Sequence, residues 1–289
     1  MFRDNMSTFN TTRFCQALKC QFLVLRKTWI RLFGIFTLVM FMANLFFTRV
    51  QSTKYDYMVH NWPMEDVLHT YGKYVEQTYV FGIVFFCFSM LFGASFLFAG
   101  MKDTRKRSAF LLWPVSNLEK YTISLLLSIL WLAVITIGAY MLADTLRVFI
   151  DWVTGRVVIW GIPMIVTQFF RQAAFDHWQL AWMLFTWVFY IHSLYIVGGT
   201  LFRRQQFLFT SGTIVVAGIL LVMLLNQINP DVEFITGTWD EKTHSYNQIF
   251  HPFFYVFNSV LCALIVFHYW ASYRLFTRMQ VINNKWLNV

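Results

Sequence analysis

The chain has 289 residues, of which 58% are hydrophobic, 20% aromatic and only 13% charged, where a soluble domain carries about 25% charged residues. With a mean hydropathy of +0.53, this composition excludes a disordered or fibrous polypeptide and argues against a soluble globular one. The expected class is an all-α integral membrane protein, in which the net charge of +9 reports topology and contact with anionic lipid rather than nucleic acid.

Residues 1–31 are polar and basic. Within them Phe14, Leu18, Phe22, Leu25 and Trp29 recur at helical spacing, while Arg13, Gln16, Lys19, Arg26, Lys27 and Arg31 fill most of the other side. An N-terminal amphipathic helix of this kind suits the inner headgroup layer, and equally a cytosolic helix packed on a partner. A bilayer core of about 30 Å takes roughly 17 to 25 apolar residues per helix. Six runs free of Lys, Arg, Asp and Glu meet that need, near 32–48, 77–100, 121–143, 178–202, 207–226 and 253–273. They define a six-span transmembrane domain over 32–275, followed by a tail at 276–289. No small-residue cleavage site follows the first run, so it is expected to remain as a span.

Lys and Arg are retained on the cytoplasmic side of short loops. The N-terminal segment, the second connection (Lys102, Arg105, Lys106, Arg107, Lys120), the fourth (Arg203, Arg204) and the tail (Arg274, Arg278, Lys285) hold most of the 23 cations. The same segments hold only Asp4, Asp103 and Glu119 of the 14 acids. Both termini are therefore expected to be cytoplasmic, and the third connection, Asp144 to Asp176, external. That connection contains an apolar stretch, Val157 to Phe170, interrupted by Gly161 and Pro163. A seventh span there would reverse the sidedness of the later cations, so a re-entrant or interfacial element is expected instead.

The second connection, Met101 to Lys120, is the most informative. A cationic cluster is followed by the apolar stretch Ala109 to Trp113 and then by Pro114, which a helix cannot run through without losing a hydrogen bond. Ser116 and Glu119 fit the Ser-x-x-Glu capping box that opens a helix. The pattern predicts a short cytosolic helix, a sharp turn and the start of the third span. An ordinary loop with snorkelling cations would share its composition.

This connection resembles that of bacterial permease subunits in the type-2 class of ABC exporters. The likeness rests on the cation-rich run, the apolar patch, Pro114-Val115-Ser116 and Leu118-Glu119-Lys120 at the head of the third span, with Trp113 in place of a more usual Leu. It implies a coupling helix over Asp103 to Pro114, docking on a separate ATPase subunit through Asp103, Arg105, Lys106, Arg107, Phe110, Leu111, Trp113 and Pro114. It further implies pairing with a second permease subunit, residence in the bacterial cytoplasmic (inner) membrane, and export of a hydrophobic or amphipathic substrate. No cofactor is expected on this chain, with ATP and Mg on the partner ATPase. The family's broken helices between the fifth and sixth spans would correspond to Asn226 to Pro252. A long third connection and few acids in the coupling segment depart from the family pattern.

No enzyme motif competes. The sole Gly-Lys, Gly72-Lys73, lacks the upstream glycine of a phosphate-binding loop, and neither His-Glu-x-x-His nor Gly-x-Ser-x-Gly occurs. The four cysteines, Cys15, Cys20, Cys87 and Cys262, form no Cys-x-x-Cys and imply neither disulfides nor zinc. His244 and His251 beside Asp240 and Glu241 are only a weak metal hint. Tyr190, His192 and Ser193 lie near the centre of the fourth span, where polar groups face a bundle or cavity. They serve either a translocation path or interhelical hydrogen bonds. Two alternatives to transport are a membrane scaffold, sensor or immunity-type protein, and an integral membrane enzyme.

Overall fold

The computed structural model describes residues 9–97, 108–110, 112–164, 178–202, 205–228, 235–240 and 245–278. The described chain is predominantly helical. Five helices are long and apolar enough to cross a membrane: α1 (Thr11–Val50), α3 (Met64–Ser95), α4 (Asn117–Val153), α5 (Trp178–Leu201) through its Ala181–Leu201 part, and α7 (Pro252–Thr277). The other helices are short α2 (Tyr55–Asn61) and apolar α6 (Gln206–Ile228).

Between α6 and α7 stands a two-stranded antiparallel hairpin, β1 (Ile235–Asp240) and β2 (Ser245–Phe250), with Ile235 opposite Phe250 and Asp240 opposite Ser245. It occupies most of the described part of the Asn226 to Pro252 stretch that the family resemblance would fill with broken helices. Alternating Thr, Trp and Tyr suit a pleated strand better than a helix.

Helix α1 begins where the Asn10 side chain accepts the Arg13 amide at 3.1 Å, a regular N-cap. It then runs 40 residues, about 60 Å at 1.5 Å per residue, and closes in a π-helical turn, Phe46–Val50. The amphipathic segment and the first span are thus one uninterrupted helix, with no break near residue 31. Arg26, Lys27 and Arg31 change its polarity but are good helix formers, and no proline intervenes. Helix α4 likewise passes the expected end of the third span at Ala143 and continues to Val153.

The chain divides into two compact units. In the unit formed by Thr8–Met90 with Leu125–Asp176, α3 packs antiparallel to α4. Tyr71 donates to Asp151 at 2.8 Å, Ser89 and Thr136 share a bond at 3.1 Å, and a Cβ at Gly82 would meet the Tyr140 ring at 2.9 Å. Helix α1 lies parallel to α4, from the T-shaped pair Phe22 and Trp131 to the Arg49–Asp151 ion pair. Tyr55, Met58, Val67, Tyr71 and Val75 form one buried cluster, and Met40, Tyr79, Tyr140 and Ala143 another.

After Gly155, whose φ of +68° is one that glycine adopts without strain, the chain turns back along α4. Val157 donates its amide to Tyr55 Oη at 2.8 Å, Ile159 meets Arg147, and Gly161 meets Asp144. Met164 packs against both buried clusters. The described part of the apolar stretch therefore returns beside the helix it left; residues 165–170 lie outside the described residues.

The other unit combines Leu91–Ser124 with the described residues after His177. Here α5 and α7 pack in parallel, with Trp182 against Phe254 and His192 against Tyr269. Helix α6 returns along α5 through a 2.7 Å bond between Tyr195 and Ser211. The approach at the end of α5 is close, because a Cβ on Gly199 would lie 2.6 Å from the Ser95 carbonyl oxygen and one on Gly198 would collide with Thr210.

Candidate functional site

Three places gather polar or exposed groups in arrangements that need explanation. The first is the described part of the second connection. Asp103, Arg105, Lys106, Arg107 and Leu111 lie outside the described residues. Phe110 ends a short helical turn and is half-buried, its ring 6.2 Å from Trp113 and 6.3 Å from the buried Phe276 of α7. Trp113 is half-buried as well, Pro114 is exposed, and Leu112 is 80% exposed. The two aromatic side chains expected to seek a partner groove thus find part of their burial within this unit. Leu112 carries the larger uncovered apolar surface, and the sequence reading singled out its neighbours instead.

Directly after Pro114 the third membrane helix opens with a reciprocal cap. The Ser116 amide donates to Glu119 Oε2 at 2.8 Å, and the Glu119 amide donates to Ser116 Oγ at 3.2 Å. Two of the amides a helix start leaves unpaired are thereby satisfied. Glu119 is fully buried. Tyr121, one turn on, donates to the Tyr269 carbonyl at 3.2 Å and stacks edge-on with Tyr273, tying the helix start to α7.

The second place is a polar seam between α5 and α7. Ser193 donates to the Tyr190 carbonyl at 2.7 Å and shares a 3.0 Å bond with His268 Nδ1. His192 Nδ1 shares a 3.1 Å bond with Tyr269 Oη, while His192 Nε2 is buried and finds no hydrogen-bond partner among the described residues. Tyr190 lies beside the His268 ring at 5.5 Å. The three residues expected near the centre of this span therefore converge on α7 and on one another. Their α7 partners His268 and Tyr269 were missed, although Tyr269 belongs to a set, Asn258, Cys262, Tyr269 and Ser272, that recurs at intervals of four, seven and three in a charge-free run, the spacing of one helix face. The seam can order helices and offer a hydrogen bond from an otherwise apolar bundle. Ser193 and His268 pair a hydroxyl with an imidazole, but among the described residues no carboxylate orients that imidazole, the third member of the constellation that covalent catalysis uses.

The third place is ionic. Asp144, Arg147 and Asp151, at i, i+3 and i+7 of α4, are all fully buried. Arg147 Nη2 donates to Asp144 Oδ1 at 2.6 Å and to the Ile159 carbonyl at 2.6 Å, and Nη1 donates to Asp151 at 2.9 Å. Arg49 reaches Asp151 at 2.8 Å. The second oxygen of Asp144 accepts the amides of Gly161 and Ile162 at 3.0 and 3.3 Å, holding a short helical turn by its N-terminus. Nearby, Arg156 donates to the Thr48 carbonyl at 2.9 Å and lies over the Tyr55 ring. A cluster of acids at one membrane face would favour an enzyme, but these carboxylates are paired and sealed from any substrate. Their arrangement latches the returning segment onto α4.

Among the described residues no group of three His, Cys, Asp or Glu could hold a metal ion; Glu241 and His244 of the weak histidine hint lie outside them. The described cysteines are unpaired and exposed. No protein-family model, curated protein or solved structure matches this chain.

Proposed function

We propose that this multi-pass membrane protein is the permease subunit of an ABC exporter, working with a second permease subunit and a separate ATPase to move a hydrophobic or amphipathic substrate. The observation that carries the proposal is the connection between α3 and α4. There a cation-rich segment leads into a short helical turn, the turn at Pro114, and a helix start whose amides are satisfied by Ser116 and Glu119. In this reading the exposed Leu112 faces the cytosol just ahead of that capped helix start, where a coupling element would meet its partner.

In this reading six helices span the bilayer, α6 being the fifth in order. The cations of Thr11 to Arg31, on the inner part of the unbroken α1, meet phosphates of the inner leaflet, whereas a helix lying in the headgroup plane would have needed a break before the first span, and both termini are cytoplasmic. The polar seam of Tyr190, His192 and Ser193 with His268 and Tyr269 lies where a translocation path would need hydrogen-bonding groups. ATP and Mg belong to the partner.

The test is purification of the tagged full-length chain from its native membrane with identification of co-purifying proteins. A stoichiometric ATPase is expected, and Leu112→Glu should reduce its recovery at least tenfold, since burying an unpaired charge costs more than the 1.4 kcal/mol of a tenfold change. Recovery of the chain without an ATPase, or with one that is indifferent to Leu112→Glu, overturns the assignment.

A further inference from the structure

On one side of the Thr8–Met90 and Leu125–Asp176 unit, the apolar surface climbs higher than on the other. The hydrogen bond from Tyr71 to Asp151 and the approach of Gly82 to Tyr140 set the antiparallel register of α3 and α4, which puts Gln77 level with Thr145. On α3 the exposed surface changes character there: Val80 is exposed and apolar, whereas beyond it Gln77, Lys73, His69, Asp66 and Glu65 are exposed and polar, with only Leu68 and Met64 as exposed apolar residues among them. On α4 no such change occurs. Leu142, Leu146, Phe149, Trp152 and Val153 continue an exposed apolar stripe to the helix end, with Trp152 at 69% exposure. Thr145 within the stripe has its hydroxyl bonded to the Met141 carbonyl at 2.8 Å, so it asks nothing of water. Helix α1 behaves like α4, with Met42, Phe46 and Val50 exposed and polar Gln51 following.

The stripe on α4 therefore ends seven or eight residues beyond the level of Gln77, about 10 Å at 1.5 Å per residue. We infer that the lipid of the outer leaflet rises along the α1 and α4 face to Val50 and Trp152, while the α3 face meets water from Gln77 outward, so that the membrane boundary steps by roughly one headgroup layer around this unit. Two features of the surface select lipid as its cover. It continues without interruption the apolar faces of two membrane-length helices, and it ends in Trp152, a residue enriched at the headgroup level. The step also accounts for the sealing of Asp144, Arg147 and Asp151: on the α4 side they lie at hydrocarbon depth, where an unpaired charge has no water to turn to.

The test uses the full-length chain with its four cysteines replaced by alanine, reconstituted in nanodiscs of phosphatidylcholine and phosphatidylglycerol. Single cysteines at Phe149, Trp152, Lys73 and Gln77 carry an environment-sensitive fluorophore, quenched either by aqueous iodide or by lipid bearing a nitroxide high on its acyl chain. Labels at 149 and 152 should be quenched by the lipid, with iodide quenching at least about fivefold weaker than at 73 and 77, as expected across a headgroup boundary. Equal iodide access at 152 and 77 overturns the inference, as does a label at 152 that neither quencher reaches, which would mean a protein cover. Val50→Cys supplies the same readout from α1 if Trp152→Cys does not fold.

Discussion

Replacing Arg147 by Met tests whether the outer end of α4 is held by charge compensation or by packing alone. Arg147 is fully buried and donates two bonds to Asp144, at 2.6 and 3.1 Å, one to Asp151 at 2.9 Å and one to the Ile159 carbonyl at 2.6 Å. Met fills a similar length but donates nothing. Asp151 keeps Arg49 and the Tyr71 hydroxyl, whereas among the described residues Asp144 is left a buried carboxylate with the Gly161 and Ile162 amides alone. Breaking a buried pair in this way costs about 3–5 kcal/mol. At about 2–4 °C per kcal/mol, the figure for chains somewhat shorter than this one, the melting temperature should fall by roughly 6–20 °C. The double variant Asp144→Asn with Arg147→Met removes the stranded charge while its amide oxygen still accepts from the returning segment. It should recover about 2 kcal/mol or more of the loss. The assay is the fraction of detergent-solubilised protein that remains monodisperse after heating, read by size exclusion across temperature. A double variant no more stable than Arg147→Met alone, or a single variant of unchanged stability, would refute charge compensation.

Further variants and fusions report on other parts of the fold and on topology. Gly199→Ala should lower the melting temperature and the monodisperse yield, because its methyl group meets the Ala94 and Ser95 carbonyl oxygens at 2.8 and 2.6 Å; Gly212→Ala, with nothing within 4 Å, should not. Ser116→Ala should cost about 0.5–2 kcal/mol and speed hydrogen exchange at the Glu119 amide, while leaving exchange at α6 unchanged. Reporter fusions at Arg204 and Arg156 should read cytoplasmic and external respectively, and the reverse at either position would sink the proposed topology. His192→Leu should impair assembly or transport, because its bond to Tyr269 at 3.1 Å is lost from the polar seam; unchanged assembly and transport would remove His192 from any functional role.

The membrane character of the chain was legible because charge is expensive in hydrocarbon, so its absence over six runs is a strong signal. Helix ends were less legible, and for a physical reason. Charges were taken to mark the end of a span, but Asp144, Arg147 and Asp151 pair on one helix face, Arg49 from α1 supplies the second cation, and α4 continues. Their i, i+3, i+7 spacing was a readable clue. The start of α1 posed the converse problem, since lysine and arginine alter where a helix lies without breaking it. The capping residues Ser116 and Glu119 could be read because the motif is local: both partners lie within four residues. The polar seam was half legible. Tyr190, His192 and Ser193 stood out within one span, but their partners His268 and Tyr269 lie more than seventy residues away, and only folding brings them together.

The close approach at the end of α5 also constrains how this gene can drift. Gly199 rests on two backbone carbonyls, and Gly198 faces Thr210 without room for a methyl group. Backbone cannot be exchanged to make space, so the helices would have to part. Every nonsynonymous single-base change of a glycine codon either introduces a side chain with a Cβ or ends translation, which leaves these two codons only their synonymous neighbours. The exposed Phe, Val, Leu and Ile of the same helices face no such limit, since one apolar side chain serves against lipid as well as another. A saturation library of this chain should therefore show two adjacent positions restricted to glycine within a helix whose exposed positions accept most apolar residues.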